Sequence, residues 1–181
     1  LKLMPVKTIA IDKTEADDLI AYLSRYISSK YNSKIYIVSN DQDYLQLVDD
    51  NIIIYRPTER IYYDRPKIIE KFQVLPSNFI LYKTLMGDQS DSITGIKGLG
   101  KGKIFKLFPE LLDTPLVLDD IFNICEKKMK EHIIYARTLQ DFNQIKCNYK
   151  IMDLKNPLID DVGKKLLEEL VLKIKGTKFD S

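Results

Sequence analysis

A chain of 181 residues, 45% hydrophobic and 30% charged, has the composition of a soluble globular protein with one ordinary domain or two small ones. No apolar run approaches the roughly 20 residues that span a bilayer, and no signal-peptide pattern opens the chain, which argues against a membrane partner. A single histidine and two distant cysteines, Cys125 and Cys147, argue against a zinc cage and fit a reducing, cytoplasmic setting. The net charge of +2 says little, but its distribution is blocky. Residues 92–106 carry Lys97, Lys101, Lys103 and Lys106 with no acid, while the stretches around Asp41 and Asp88 are rich in carboxylates. Acid beside base in blocks suits a metal site next to a polyanion track.

The chain opens on Leu1, and "LKLMPVKTIAID" reads as the approach to a strand already inside a domain, as expected of a fragment or a late start. The β-branched run "VKTIAI" (6–11) predicts a strand. Thr14 then reads as an N-cap, forming a capping box with Asp17, for a helix in which Ala16, Leu19, Ile20, Leu23, Tyr26 and Ile27 recur at helical spacing. "KIYIVS" (34–39) predicts a second strand, apolar throughout as in a buried parallel sheet. A short helix "DYLQLV", a strand "NIIIYR" (51–56) and an edge strand or hairpin arm "RIYYD" follow. From Pro66 onward the pattern is helical, in "PKIIEKF", "PSNFILYKTLMG", "KIFKLFPELL", "LVLDDIFNICEKKMKEHIIYARTLQDFNQIKC" and "VGKKLLEELVLKI", with a turn at Asn156-Pro157. His132 falls in a mid-helix pattern, as a surface or packing residue. The expected class is α/β: a partial parallel-sheet domain over 1–86, then a helical region over 87–181.

Three acidic clusters stand at element boundaries. Glu15, Asp17 and Asp18 occupy a helix's first turn, where acids also offset the dipole. Asp41 and Asp43 follow the strand "KIYIV" at its carboxyl end, where α/β sheets gather ligand sites, although an Asp-rich turn capping the next helix reads equally well. Asp88 and Asp91 end a helix, where acids oppose the dipole and call for compensation such as a cation. Together they offer hard oxygen donors without His or Cys, the preference of Mg²⁺ or Mn²⁺. Two such ions about 4 Å apart catalyse phosphoryl displacement without a histidine base or serine nucleophile.

"GIKGLGKGK" (95–103) has the Gly and Lys spacing of a P-loop, but Gly102 replaces the Ser or Thr that follows the lysine, and "GDQSDSIT" is no strand. The hinge of a helix-hairpin-helix fits better. A helix "SNFILYKTLMG", a tight turn "IKGLGKG" and a second helix from "KIFKLF" would bring backbone amides and lysines to phosphate oxygens. Binding would be independent of sequence and sensitive to salt.

"EADD", "SNDQD" and "GDQSDSITGIKGLGKGK", in that order and at these separations, resemble the 5′→3′ exonuclease and flap endonuclease family, which includes the 5′-nuclease domains of bacterial DNA polymerase I. The lead-in "MPVKTIAIDKTEADD" and the helical tail are most similar to the ribonuclease H branch of T-even bacteriophages, and host cytoplasm is then the expected location. The resemblance implies a PIN-like fold and a two-metal nuclease that removes 5′ flaps or RNA primers from DNA duplex or RNA–DNA hybrid, with replication proteins as partners. It implies that Glu15 and Asp17, with Asp18 nearby, serve a first metal and that Asp41, Asp43, Asp88 and Asp91 serve a second. Glu15, Asp17, Asp41 and Asp43 would be catalytic. Lys97, Gly98, Gly100, Lys101, Gly102, Lys103 and Lys106 would form the DNA clamp (a helix-3-turn-helix), where relatives also hold K⁺. Two departures stand out: Ser92 occupies the place of the family's usual Asn, and the family's N-terminal strand with its metal-binding Asp, a second Asp and a basic arch have no counterpart here. A catalytically incomplete, sequence-independent DNA-binding module is therefore the alternative.

Overall fold

The computed structural model describes residues 6–89 and 91–176. Helix α1 (Ala16–Tyr31) leads into strand β1 (Ile35–Val38), which runs parallel to β2 (Ile52–Arg56) in the register Ile35 to Ile52 and Ile37 to Ile54. Strand β3 (Ile61–Tyr63) returns antiparallel to β2, so the sheet of order β1-β2-β3 is mixed. Helices α2 (Arg65–Phe72) and α3 (Phe79–Met86), a two-residue hairpin of β4 (Gly87–Asp88) and β5 (Ile93–Thr94), and α4 (Lys101–Leu107) come next. Helices α5 (Leu118–Lys128), α6 (Ile133–Gln140), α7 (Phe142–Met152) and α8 (Asp161–Gly176) complete the described chain. No helix among the described residues is long and apolar enough to cross a membrane.

One hydrophobic cluster runs from the sheet into the helices, joining Ile37, Ile52, Ile54 and Tyr63 to Phe79, Phe108, Ile121, Ile134 and Leu154. Alternation decides which face of the sheet enters it. Ile52 and Ile54 are fully buried, whereas Tyr36, Val38 and Tyr62 remain on the exposed face. The expectation that β1 is buried on both faces therefore fails: Val38 is 65% exposed. Its continuous apolar character reflects β-propensity and aromatic contacts across strands, such as Tyr36 edge-on to Tyr62, rather than two-sided burial.

Other local expectations are corrected. Residues 6–11 form no strand, because a strand needs a partner ladder and none among the described residues pairs with them; Ile9 and Ile11 pack instead against Leu19, Ile159 and Leu167. The N-cap of α1 is Glu15, with no side-chain cap, and Thr14 reaches only the Asp12 carbonyl, so the capping box is not formed. "DYLQLV" winds as a 3₁₀ helix, Asp43–Leu47, rather than an α-helix. His132 is not mid-helix: it is the N-cap of α6, where its Nδ1 accepts from Ile134 N at 3.1 Å.

Buried amide side chains lock the segments that frame the site. Gln46 donates to Met152 O at 2.9 Å and accepts from Leu154 N at 3.2 Å, tying the 3₁₀ helix to the end of α7. Fully buried Asn78 donates to Leu111 O (3.0 Å) and Thr114 O (2.7 Å) and accepts from Leu116 N (2.8 Å). Removing it orphans three backbone groups, so Asn78→Ala is expected to cost about 3 kcal/mol, more than one ordinary hydrogen bond, as read from urea unfolding.

Candidate metal centre

The acids converge because three backbone devices bend the chain toward one point. After β1, Asp41 N donates to Ser39 Oγ (3.1 Å) and Asp43 N donates to Asp41 Oδ1 (2.8 Å), a nested turn that starts the 3₁₀ helix at Asp43. Arg56 holds the same loop by donating to Asn40 O, with Nη2 at 2.7 Å, while Asn40 Oδ1 accepts from Thr58 N at 2.9 Å. After α3, Gly87 turns at φ +79°, and a Cβ on Gly95 would lie 2.2 Å from the Met86 carbonyl carbon. Only glycines permit that approach. With Ile96 N donating to Leu85 O at 2.9 Å, the β4–β5 hairpin folds back on the end of α3 and carries Asp88 and Asp91 with it.

Asp43, Asp88 and Asp91 consequently each offer a carboxylate oxygen within 4.8 Å of the others. Lys83, in the last turn of α3, pairs with Asp43 and, at 2.6 Å, with Asp88. Its side chain is only 10% exposed, and those of Asp43 and Asp88 are 17% exposed. Burial pushes the Asp43 carboxyl above the usual carboxylate range, and neighbouring Asp41 and Asp91 add to this, while Lys83 opposes it. Burial also works to lower the Lys83 ammonium, but its hydrogen bonds and charge contacts with Asp43 and Asp88 outweigh that and hold it above its ordinary value. Asp43 therefore carries the strain of the cluster, and Lys83 is the cation that pairs with it and with Asp88.

Glu15, Asp17, Asp18 and Asp41 line, with Asp43 and Asp91, one cleft of about 890 Å³, and Asp88 faces an adjoining recess with Asp41, Arg56 and Lys83. On the α1 side, two acids are already engaged. Asp17 accepts from the Tyr44 hydroxyl at 2.5 Å, and Asp18 accepts from Leu158 N at 3.0 Å. Burial, then the Asp17 carboxylate, push the Tyr44 phenol well above its usual range, so it stays a donor. The opposite wall comes from α7, where buried Asn148 donates to Thr94 O at 3.1 Å and accepts from Gln144 at 2.9 Å, bracing the hairpin from outside.

Lys83, Tyr44 and Asn148 were not marked by the sequence analysis. For Lys83 the signal was present: it is the one charged residue in "FILYKTLM", a helix otherwise buried from Phe79 to Leu85. It supplies part of the compensation that acids beyond a helix C-terminus require.

The glycine segment joins the hairpin to α4. Gly98 takes φ +88°, and Lys97, Lys101, Lys103 and Lys106 are all exposed. Around Gly100 and Gly102 nothing would meet a Cβ within 4 Å, so this side of the turn is open. Arg137 donates to Lys97 O at 3.0 Å and Lys103 to Gly98 O at 3.2 Å, which fix the turn from α6 and α4. Ser92 sits at φ +57°, a left-handed conformation that Asn tolerates better than Ser, which gives the family's usual Asn a backbone reason. Because Lys83 is what holds the Asp43 pKa down, Lys83→Met is expected to raise it further, as followed by carboxyl carbon-13 NMR in the absence of divalent ions.

Comparison with known proteins places this geometry. The sequence pattern of the 5'-3' exonuclease N-terminal resolvase-like domain matches residues 1–73. A 5'-3' exonuclease of Buchnera aphidicola subsp. Acyrthosiphon pisum is 33% identical across 96% of this chain and 59% of its own length. Flap endonuclease Xni of Colwellia psychrerythraea is 31% identical across 83% of this chain and 53% of its own. The chain thus spans little more than half the length of these relatives. Among solved structures, the phage T5 5'-exonuclease superposes with a TM-score of 0.75 at 24% identity, covering 92% of this chain and 69% of that one. The phage T5 flap endonuclease in a pseudo-enzyme-product complex with DNA and metal ions gives 0.76 at 22% identity, covering 94% and 63%. These two establish the fold as α/β of the T5 exonuclease type. In sequence, the chain is similar to the 5′→3′ exonuclease family, by its N-terminal domain over residues 1–73 and by relatives matched along most of its length.

Proposed function

We propose that this chain forms the metal-binding and duplex-gripping part of a structure-specific 5′→3′ exonuclease or flap endonuclease that hydrolyses phosphodiester bonds. The observation that carries the reading is the Asp43–Asp88–Asp91 cluster, its first two members half-buried and Asp91 exposed, opening beside a turn that bears four exposed lysines. The donor set fits Mg²⁺ or Mn²⁺: hard oxygens only, no His or Cys in the cleft, and three carboxylates against one ammonium. When bound, such ions supply a more acidic water and offset the charge that grows on the phosphate.

The chain's own residues have distinct tasks in this reading. Asp43, Asp88 and Asp91 hold one ion, with Asp41 lining the same cleft. Glu15 and Asp17 face the first-metal side, with Asp18 beside them. Lys83 opposes the rise of the Asp43 carboxyl and pairs with Asp88, which offsets the repulsion within the cluster in the metal's absence. Lys97, Lys101, Lys103 and Lys106, around Gly98, Gly100 and Gly102, contact backbone phosphates of a 5′-flap duplex or RNA–DNA hybrid and read no base. A K⁺ ion at this turn would compete with Arg137 and Lys103 for the Lys97 and Gly98 carbonyls. Replication proteins are the partners such a substrate implies. One observation favours the second reading, a DNA-binding module that does not cleave alone: Asp17 and Asp18 each already spend an oxygen on Tyr44 and Leu158.

Asp41→Asn keeps an oxygen to accept from Asp43 N and removes one charge, so calorimetric Mg²⁺ affinity should fall about tenfold or more with the fold intact. Cleavage of a 5′-flap substrate in Mn²⁺ supports the first reading; salt-sensitive duplex binding without cleavage supports the second. Lys101→Ala and Lys103→Ala should each weaken duplex binding equally on unrelated sequences. Each should also lower the slope of log affinity against log salt by about one.

A further inference from the structure

Beyond the acidic cleft, the segment 153–158 has a second side. Leu154 and Leu158 face the cleft, whereas Lys155, Asn156 and Pro157 face a separate pocket of about 840 Å³ against α1, and the two cavities share no lining residue. Arg25 and Lys155 lie at the junction of this pocket with a neighbouring recess that Arg65 also lines. Arg25 donates to the Lys155 carbonyl, and Lys155 Nζ donates to Ser77 O at 3.1 Å. Neither cation forms an ion pair among the described residues.

The nearest acids do not neutralise them directly. Asp49 spends Oδ1 on the amides of Asn51 and Ile52, both at 2.8 Å. Asp153 accepts from Lys155 N at 3.0 Å and from the Asn156 side chain at 2.6 Å. Burial pushes the Lys155 ammonium below its usual value, Arg25 adds to the effect and Asp153 opposes it. Two adjacent cations, one half-buried and neither ion-paired, cost stability in the empty protein and are relieved by an anion. The pocket is far larger than one phosphate needs and falls in the range of small-molecule sites. The α1 wall that carries Arg25 also holds the Tyr22–Tyr26 pair, whose rings stack at 6.0 Å and 9° with Lys30 over the Tyr26 ring, aromatic surface that a base can meet.

We propose that this pocket binds a nucleotide, with Arg25 and Lys155 taking its phosphate and the Tyr22–Tyr26 wall meeting its base. The phosphate can belong to a free mononucleotide or to a strand. The site is independent of the metal cluster, so its test does not rest on the nuclease reading.

The experiment is an NMR titration of the full chain, without divalent ions, that follows the amides of Ser28, Ser29 and Asn156. The probes are inorganic phosphate, adenosine 5′-monophosphate and a short oligothymidylate. Saturable shifts at these amides are expected, with a nucleotide probe tighter than inorganic phosphate. Arg25→Gln and Lys155→Gln should each weaken binding about tenfold, while Arg25→Lys retains most of it. A tighter mononucleotide identifies a free nucleotide, and a tighter oligothymidylate identifies a strand; both support the site. No local shift with any probe, equal affinity for inorganic phosphate and both nucleotides, or affinity unchanged in both glutamine variants that stay folded by circular dichroism would overturn it.

Discussion

Three carboxylates offer oxygens within 4.8 Å of one another, with Asp43 and Asp88 half-buried and Asp91 exposed, and Lys83 is the cation that offsets their repulsion. The lysine sits in the last turn of a buried helix, so its ammonium is largely shielded from solvent and points to Asp43 and Asp88. One positive charge does not balance three negative ones. The residual imbalance shows in the Asp43 carboxyl, which burial and its acidic neighbours keep above the ordinary range despite the lysine. A divalent cation removes that imbalance by favouring every ionised carboxylate at once. The same interaction therefore offsets the repulsion in the metal-free chain and leaves a net negative point suited to a hard cation.

The rest of the site is positional. Gly87 and Gly95 allow the hairpin to lie against the end of α3, and Asn148 fixes it from α7 through Thr94 O. Gln46 joins the 3₁₀ helix that begins at Asp43 to the chain leaving α7. Gln46 and Asn148 are buried amides that each donate and accept a hydrogen bond, which stiffens the frame at low cost. The hairpin also leads directly into the lysine-bearing turn. Acid and base blocks adjacent in sequence thus stay adjacent in space, carboxylates on one side and exposed lysines on the other.

Much of this was legible in the residues. The apolar runs at Ile35–Val38 and Ile52–Arg56, and "RIYYD" as an edge strand or hairpin arm, marked all three strands of the main sheet. The candidate acids were identified by position at element ends, and three of them do share one point. What failed was whatever depends on distant partners. "VKTIAI" has the composition of a strand, but its isoleucines pack on residues near α8 about 150 positions later, which no local pattern announces. Thr14 and His132 show the same limit on a smaller scale, since capping depends on where the first helical turn begins rather than on residue type. Lys83 was visible as a charge inside an apolar helix, yet its meaning required knowing that Asp43 would arrive from 40 residues upstream.

The central claim is that the Asp43–Asp88–Asp91 cluster is the chain's divalent-metal site. Paramagnetic broadening by substoichiometric Mn²⁺ tests it most directly, because Mn²⁺ erases the amide signals nearest to where it binds. The account predicts that residues 41–44 and 87–94 broaden first and recover on adding excess Mg²⁺. Initial broadening at the exposed acids of α5, Asp119 and Asp120, with the cluster unaffected, would contradict it.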